Sequence, residues 1–191
     1  MRIGTKIASI IGLTFAVAAP GMPQSGGVHG PLVTIDGGHD TIAVDHGRPV
    51  ILVASGLGVP TQVFREAFSH VNPAPDGQEP DPQQVQRNKQ ALLNALSKYG
   101  VTNELLDKVS DHYRCRPGRG IIWRNKPAVL EAIVSKGTLT GFKIVDGGAG
   151  YSSAPKITVA GHPELKVKVT LLFGKDLTKN GSLSKIEIVK L

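Results

Sequence analysis

Only one cysteine, Cys115, occurs in 191 residues. With no second thiol an intramolecular disulfide is excluded, and the fold must stand on packing alone. Aromatic residues make up 5% of the chain against 40% hydrophobic overall, so the core has to be built from Val, Leu, Ile and Ala. Beyond the first twenty positions no hydrophobic run approaches the roughly 20 residues that a membrane-spanning helix needs. Signature motifs are missing too. There is no His-Glu-x-x-His, calcium loop, phosphate loop, dinucleotide fingerprint, Ser-centred elbow or paired-cysteine zinc spacing, which removes the enzyme classes those motifs mark.

What is present begins with an address. Arg2 and Lys6 form a short positive head, Ile7 to Ala19 carries no charge, and Ala16-Val17-Ala18-Ala19 supplies small residues suited to signal peptidase. This layout predicts a secretory signal peptide over residues 1–24, cut between Ala19 and Gly27, with export to the periplasm, the cell surface or the medium. No cysteine closes the leader, which argues against a lipoprotein anchor. The formal charge is +7, and loss of Arg2 and Lys6 leaves +5. A basic exported chain suits anionic partners such as acidic polysaccharide, cell-wall polymer or lipid headgroups.

Along the mature chain, residues 25–44 read as a flexible lead-in, overlapping a Gly-, Pro- and Ser-rich stretch from Met22 to Gly38. Residues 45–115 read as a helical subdomain interrupted by a Pro-rich loop at 72–82. Two segments in it resemble each other, Leu57-Gly58-Val59-Pro60-Thr61 and Tyr99-Gly100-Val101-Thr102-Asn103, each with a glycine ending one helix and a Thr or Asn opening the next. Asp81-Pro82 is a helix start, and Val85, Leu92, Leu93 and Leu96 form an apolar stripe behind it. By analogy with that second copy, Val50-Ile51-Leu52-Val53 is assigned to a helix and not to a strand. Residues 120–191 read as antiparallel β-structure: Ala128–Val134, Thr138–Val145, Lys156–Ala160, Leu165–Phe173 and Ser182–Val189 are strand-like, and Asn180-Gly181 signals a tight turn. The predicted class is therefore α+β, a small helical subdomain of two helical hairpins followed by an antiparallel β subdomain, joined near Arg116 to Lys126.

Val145-Asp146-Gly147-Gly148-Ala149-Gly150-Tyr151-Ser152-Ser153-Ala154-Pro155 resembles the Gly-x-Gly-Tyr-x-x-x-Pro repeat of bacterial surface and adhesin-like proteins and of some phage tail proteins. The resemblance spans roughly residues 127–191 and implies a small β-unit; here a single unit stands where those proteins carry tandem copies. The helical half, with Asp45-His46-Gly47-Arg48-Pro49, is similar to short exported bacterial proteins without an assigned activity, which implies architecture only.

Three constellations carry chemistry. His39, Asp40, Asp45 and His46, near Asp36, offer imidazole nitrogen and carboxylate oxygen to a divalent metal, which would make the chain an extracytoplasmic metal-dependent hydrolase. The competing reading is a polar loop in which Asp45 caps the helix near Pro49. Cys115 lies among Arg114, Arg116 and Arg119, a setting that favours a thiolate, although no cysteine-hydrolase signature surrounds it. Arg116, Arg119, Trp123 and Arg124, with Tyr151 in the glycine-rich loop, form a candidate surface for an anionic ligand, guanidinium forks for the charge and rings for stacking. Nucleic acid is not an expected partner: the Leu57–Thr61 turn with Arg65 imitates a helix-turn-helix, but it recurs as plain hairpin geometry. The leading expectation is a non-catalytic exported cell-envelope module, binding or structural, needing no cofactor and directed to anionic polymer.

Overall fold

The computed structural model describes residues 30–72, 78 and 81–189. The predicted leader and most of the Pro-rich loop lie outside the described residues. Four helices occupy the N-terminal half: α1 (Val50–Leu57), α2 (Thr61–Ser69), α3 (Pro82–Leu96) and α4 (Asn103–His112). Five of six strands follow: β2 (Val129–Ser135), β3 (Thr138–Asp146), β4 (Lys156–Val159), β5 (Val167–Leu172) and β6 (Ser182–Ile188). The class is α+β, as the sequence predicts.

Local chemistry explains most boundaries. Gly58 ends α1 at φ 73° and Gly100 closes the turn after α3 at φ 81°, conformations that a side chain would oppose. Asp81 accepts a hydrogen bond from the Gln83 amide, Pro82 sits at the first helical position, and Thr102 accepts from the Leu105 amide at the start of α4. Pro60 precedes α2 with no side-chain cap, so the two copies of the turn share their glycine but not their cap.

The helices bury one apolar cluster around Leu52, Leu57, Phe64, Leu96, Leu106 and Val109. All four helices contribute to it, and short helices such as these are held by that burial far more than by propensity. A second, smaller cluster fills the β half, with Tyr151, Ile157 and Leu183 buried and Val33, Ile35, Leu130, Phe142, Val167, Val169 and Leu171 packed around them. Val167, Val169 and Leu171 face inward while Lys168 and Thr170 face water, the period of two expected of a half-buried strand.

Two sequence expectations are corrected here. The lead-in over residues 25–44 is not all flexible: β1 (Val33–Asp36) pairs antiparallel with β4, Val33 opposite Val159 and Asp36 opposite Lys156. Its alternating Val33 and Ile35 supply the inward face that a Gly-rich reading overlooked. The Asn180-Gly181 pair is not a tight hairpin turn either. β2 and β3 are joined at Lys136-Gly137, φ 49° and 78°, whereas β5 and β6 are separated by residues 173–181. The Asp176 carboxylate organises that longer connection by accepting from the Thr178 amide and hydroxyl.

The two halves are stitched together by a polar node. Asn180, 1% exposed, donates from Nδ2 to the Leu52 carbonyl (2.8 Å) and to the Tyr113 hydroxyl (2.9 Å). Its Oδ1 accepts from the Ser55 hydroxyl (2.9 Å) and the Gly174 amide (3.1 Å). Beside it, the Asn180 carbonyl accepts from the Gly150 amide and the Gly181 carbonyl from the Tyr151 amide. The Asn180 side chain therefore ties α1, the end of α4 and the β5–β6 connection together, and the Asn180-Gly181 backbone ties them to the glycine-rich loop.

Candidate binding surface

The glycine-rich loop is built around the buried side of the connection between the halves. Gly148 and Gly150 adopt φ 66° and 83°, and the backbone of residues 124–128 runs so close that a Cβ on Gly148 would fall 2.7 Å from the Ala128 amide nitrogen. At Gly147 the constraint is contact alone, with the Leu183 carbonyl 2.6 Å from where a Cβ would sit. Tyr151 follows, 4% exposed, with its hydroxyl accepting from the Ala128 amide at 3.0 Å. Trp123, 3% exposed, donates from Nε1 to the Gly150 carbonyl at 2.8 Å. Both rings have their polar atoms satisfied inside the protein. The expectation that Trp123 and Tyr151 stack on a ligand is corrected: they hold the helices and the loop together.

His39 lies between those rings, 5.3 Å from Tyr151 in a stacked arrangement and 5.9 Å from Trp123. Its Nε2 is buried without a hydrogen-bond partner, and burial holds the imidazole below its usual pKa against the opposing pull of a Gly37 backbone hydrogen bond and of Asp40. The other members of the predicted metal set go elsewhere. Asp40 exchanges hydrogen bonds with Ser152 and Ser153 at the start of the β4 approach. Asp45, 8% exposed, receives Nε and Nη2 of Arg65 at 2.8 and 3.1 Å, a two-pronged ion pair to α2. It does not cap α1, whose N-cap is Pro49 without a side-chain bond. His46 is exposed, in the left-handed region at φ 49°. Among the described residues no three His, Cys, Asp or Glu side chains converge, so the metal set His39, Asp40, Asp45 and His46 is dispersed by the fold.

Cys115 is half-buried against the helical core. Burial pushes its thiol pKa up, and the positive charge of Arg48 only partly offsets this. The environment therefore favours the thiol over the thiolate, contrary to what three neighbouring arginines suggest in sequence.

The remaining members of the basic connection do face water. Arg116 and Arg119 are exposed on a turn closed by the Arg119 amide donating to the Arg116 carbonyl, and by the Arg116–Ile121 bridge. Arg124 is exposed a few residues on. Among the described residues these three guanidinium groups have no carboxylate within ion-pair distance, whereas Arg114 pairs with Asp111 and Lys126 with Asp146. His112, at the end of α4, carries a pKa below the usual imidazole value, first through burial and then through the charges of Arg124 and Lys108. His112 thus sits within reach of the Arg124 charge. No protein-family model matches the chain, and comparison with curated proteins and with solved structures gives no match.

No helix among the described residues is long and apolar enough to cross a membrane. What sequence reasoning missed is Arg48, noticed only as part of a motif, and Asn180, whose bonds to Ser55, Leu52 and Tyr113 each span more than 60 residues of chain.

Proposed function

We propose that the protein is a non-catalytic, exported module of the cell envelope that binds anionic polymer through Arg116, Arg119 and Arg124. One observation carries this reading: three exposed guanidinium groups stand within nine residues of each other and have no acidic partner among the described residues. An ion pair already made at the surface has little to offer a polyanion, while an uncompensated guanidinium presents a full charge and a planar fork for carboxylate, sulfate or phosphate. The groups that could have done chemistry are occupied otherwise, the Asp45 carboxylate by Arg65, the Asp40 carboxylate by the Ser153 hydroxyl and Cys115 by burial. The predicted leader and the resemblance of residues 127–191 to a surface-protein repeat support an extracytoplasmic address.

Heparin-agarose retention at graded salt tests this. Replacing Arg116, Arg119 and Arg124 together by Ala is expected to lower the eluting salt concentration much more than replacing Lys136, Lys156 and Lys166, which removes the same charge from other parts of the surface. Equal losses for the two triple variants would reduce the interaction to net charge and overturn the assignment to this junction.

A further inference from the structure

A second site lies on the helical side, and it rests on a different set of residues. The 3-10 turn Ala43–Asp45, the start of α1 and the end of α2 enclose a cleft of about 360 Å³. Val44, Val50, Phe68 and Val71 form its apolar walls, and Arg48 and Arg65 bring two guanidinium groups to it. Concave sites of this size with apolar walls and a few convergent polar groups are the usual form of small-ligand pockets.

The charge count decides the chemistry. Arg65 is committed: Nε and Nη2 hold both oxygens of Asp45, and Nη1 donates to the Gln62 amide oxygen at 2.9 Å. Asp45 is therefore neutralised within the wall by Arg65 and makes no ion pair with Arg48. Arg48 has no carboxylate in ion-pair distance among the described residues; its guanidinium lies 5.4 Å from the centroid of the Phe68 ring. A cation over an aromatic face is satisfied in part, yet all its N–H donors in the ring plane direction remain available for an oxyanion. Two guanidinium groups against one carboxylate leave a single permanent positive charge beside an apolar cavity, whose lining also includes His46 and Ser69. Val44, 58% exposed, adds an apolar rim that water covers in the absence of a ligand.

We infer that this cleft binds a monoanionic amphiphile, a short alkyl carboxylate whose headgroup pairs with Arg48 and whose chain lies along Val44, Val50, Phe68 and Val71. A multiply charged headgroup would find only one uncompensated cation there, and a neutral alkyl compound would leave that cation unused. The site is separate from the arginine junction and does not depend on its role.

Titration calorimetry of the purified protein with sodium octanoate, acetate and octan-1-ol, together with methyl-resolved NMR, tests the inference. Expected are saturable octanoate binding, shifts centred on the Val44, Val50 and Val71 methyls, and weaker binding of both acetate and octanol. Arg48→Gln should weaken octanoate by about tenfold or more, the usual worth of a charge-assisted hydrogen bond. Val44→Glu, at an exposed position that folding does not depend on, should do the same by supplying a competing carboxylate to Arg48, and it decides the matter if Arg48→Gln does not fold. Absence of saturable octanoate binding overturns the proposal. So do octanol binding as tight as octanoate, shifts confined to another region, and wild-type affinity in the folded variants.

Discussion

Asn180→Ala should be among the most damaging single substitutions in this protein, although the residue looks from sequence like an ordinary turn asparagine. Its side chain makes four hydrogen bonds at 1% exposure, to Leu52, Tyr113, Ser55 and Gly174. Each contributes on the order of 1 kcal/mol net, and truncation also strands buried partners, at roughly 1–3 kcal/mol for each that finds no substitute. Ser55 has alternatives, since its hydroxyl also reaches the Ile51 and Leu52 carbonyls. The Tyr113 hydroxyl, on a residue 2% exposed, has no other partner among the described residues. The expected loss is therefore about 3–5 kcal/mol, a large part of the 5–15 kcal/mol typical of a domain. Urea unfolding followed by Trp123 fluorescence and by helical circular dichroism would read it as a fall of about 2 M in midpoint. Ser55→Ala should cost about 1 kcal/mol, and Asn94→Ala, on the exposed face of α3, less than that. An Asn180→Ala loss no larger than that of Asn94→Ala would refute the node.

Acid should destabilise the protein before any carboxylate titrates. His39 and His112 both have folded pKa values below the usual 6.5 or so, so the unfolded chain takes up protons that the folded one refuses: the stability is complete above about pH 6.5 and is lost as pH falls from there toward the folded values, at up to about 1.4 kcal/mol per pH unit for each histidine. His39→Phe should flatten part of that slope, and a profile without slope between pH 7.5 and 5 would contradict the burial argument. The glycines give a paired test by thermal unfolding: Gly100→Ala meets nothing within 4 Å and should cost about 1 kcal/mol for its positive φ, whereas Gly148→Ala must also displace the Pro127–Ala128 backbone and should cost several times more.

The helices and strands were legible because their signals are local. Glycines with positive φ, the Asp81-Pro82 start, the Leu92–Leu96 stripe and the Val167–Leu171 alternation each act within a turn or two of chain, so short-range reading finds them. β1 escaped because four residues among glycines and prolines carry too little pattern, and its partner β4 is more than 120 residues away. Asn180 escaped for a sharper reason. Asn-Gly favours left-handed backbone whether or not the asparagine side chain is needed, so the local preference is satisfied (Gly181 has φ 72°) while the amide is used at long range.

The candidate site was half legible, and the failures share one cause. Density of acid and imidazole in the sequence does not survive folding. From His39 the chain runs into a 3-10 turn that ends at the left-handed His46; along it Asp45 turns toward α2, Asp40 toward the serines after Tyr151, and His39 between two rings. Asp45 and Asp40 then meet partners supplied by other segments, while His39 is held between two rings with its Nε2 unpartnered. The same accounting gives the opposite result for the arginines. Arg65 is consumed by Asp45, but Arg48, Arg116, Arg119 and Arg124 find no carboxylate among the described residues. Which charges stay without an acidic partner is decided by tertiary contacts, and that is why Arg116, Arg119 and Arg124 remain exposed while the acid–imidazole cluster of residues 39–46 is dispersed.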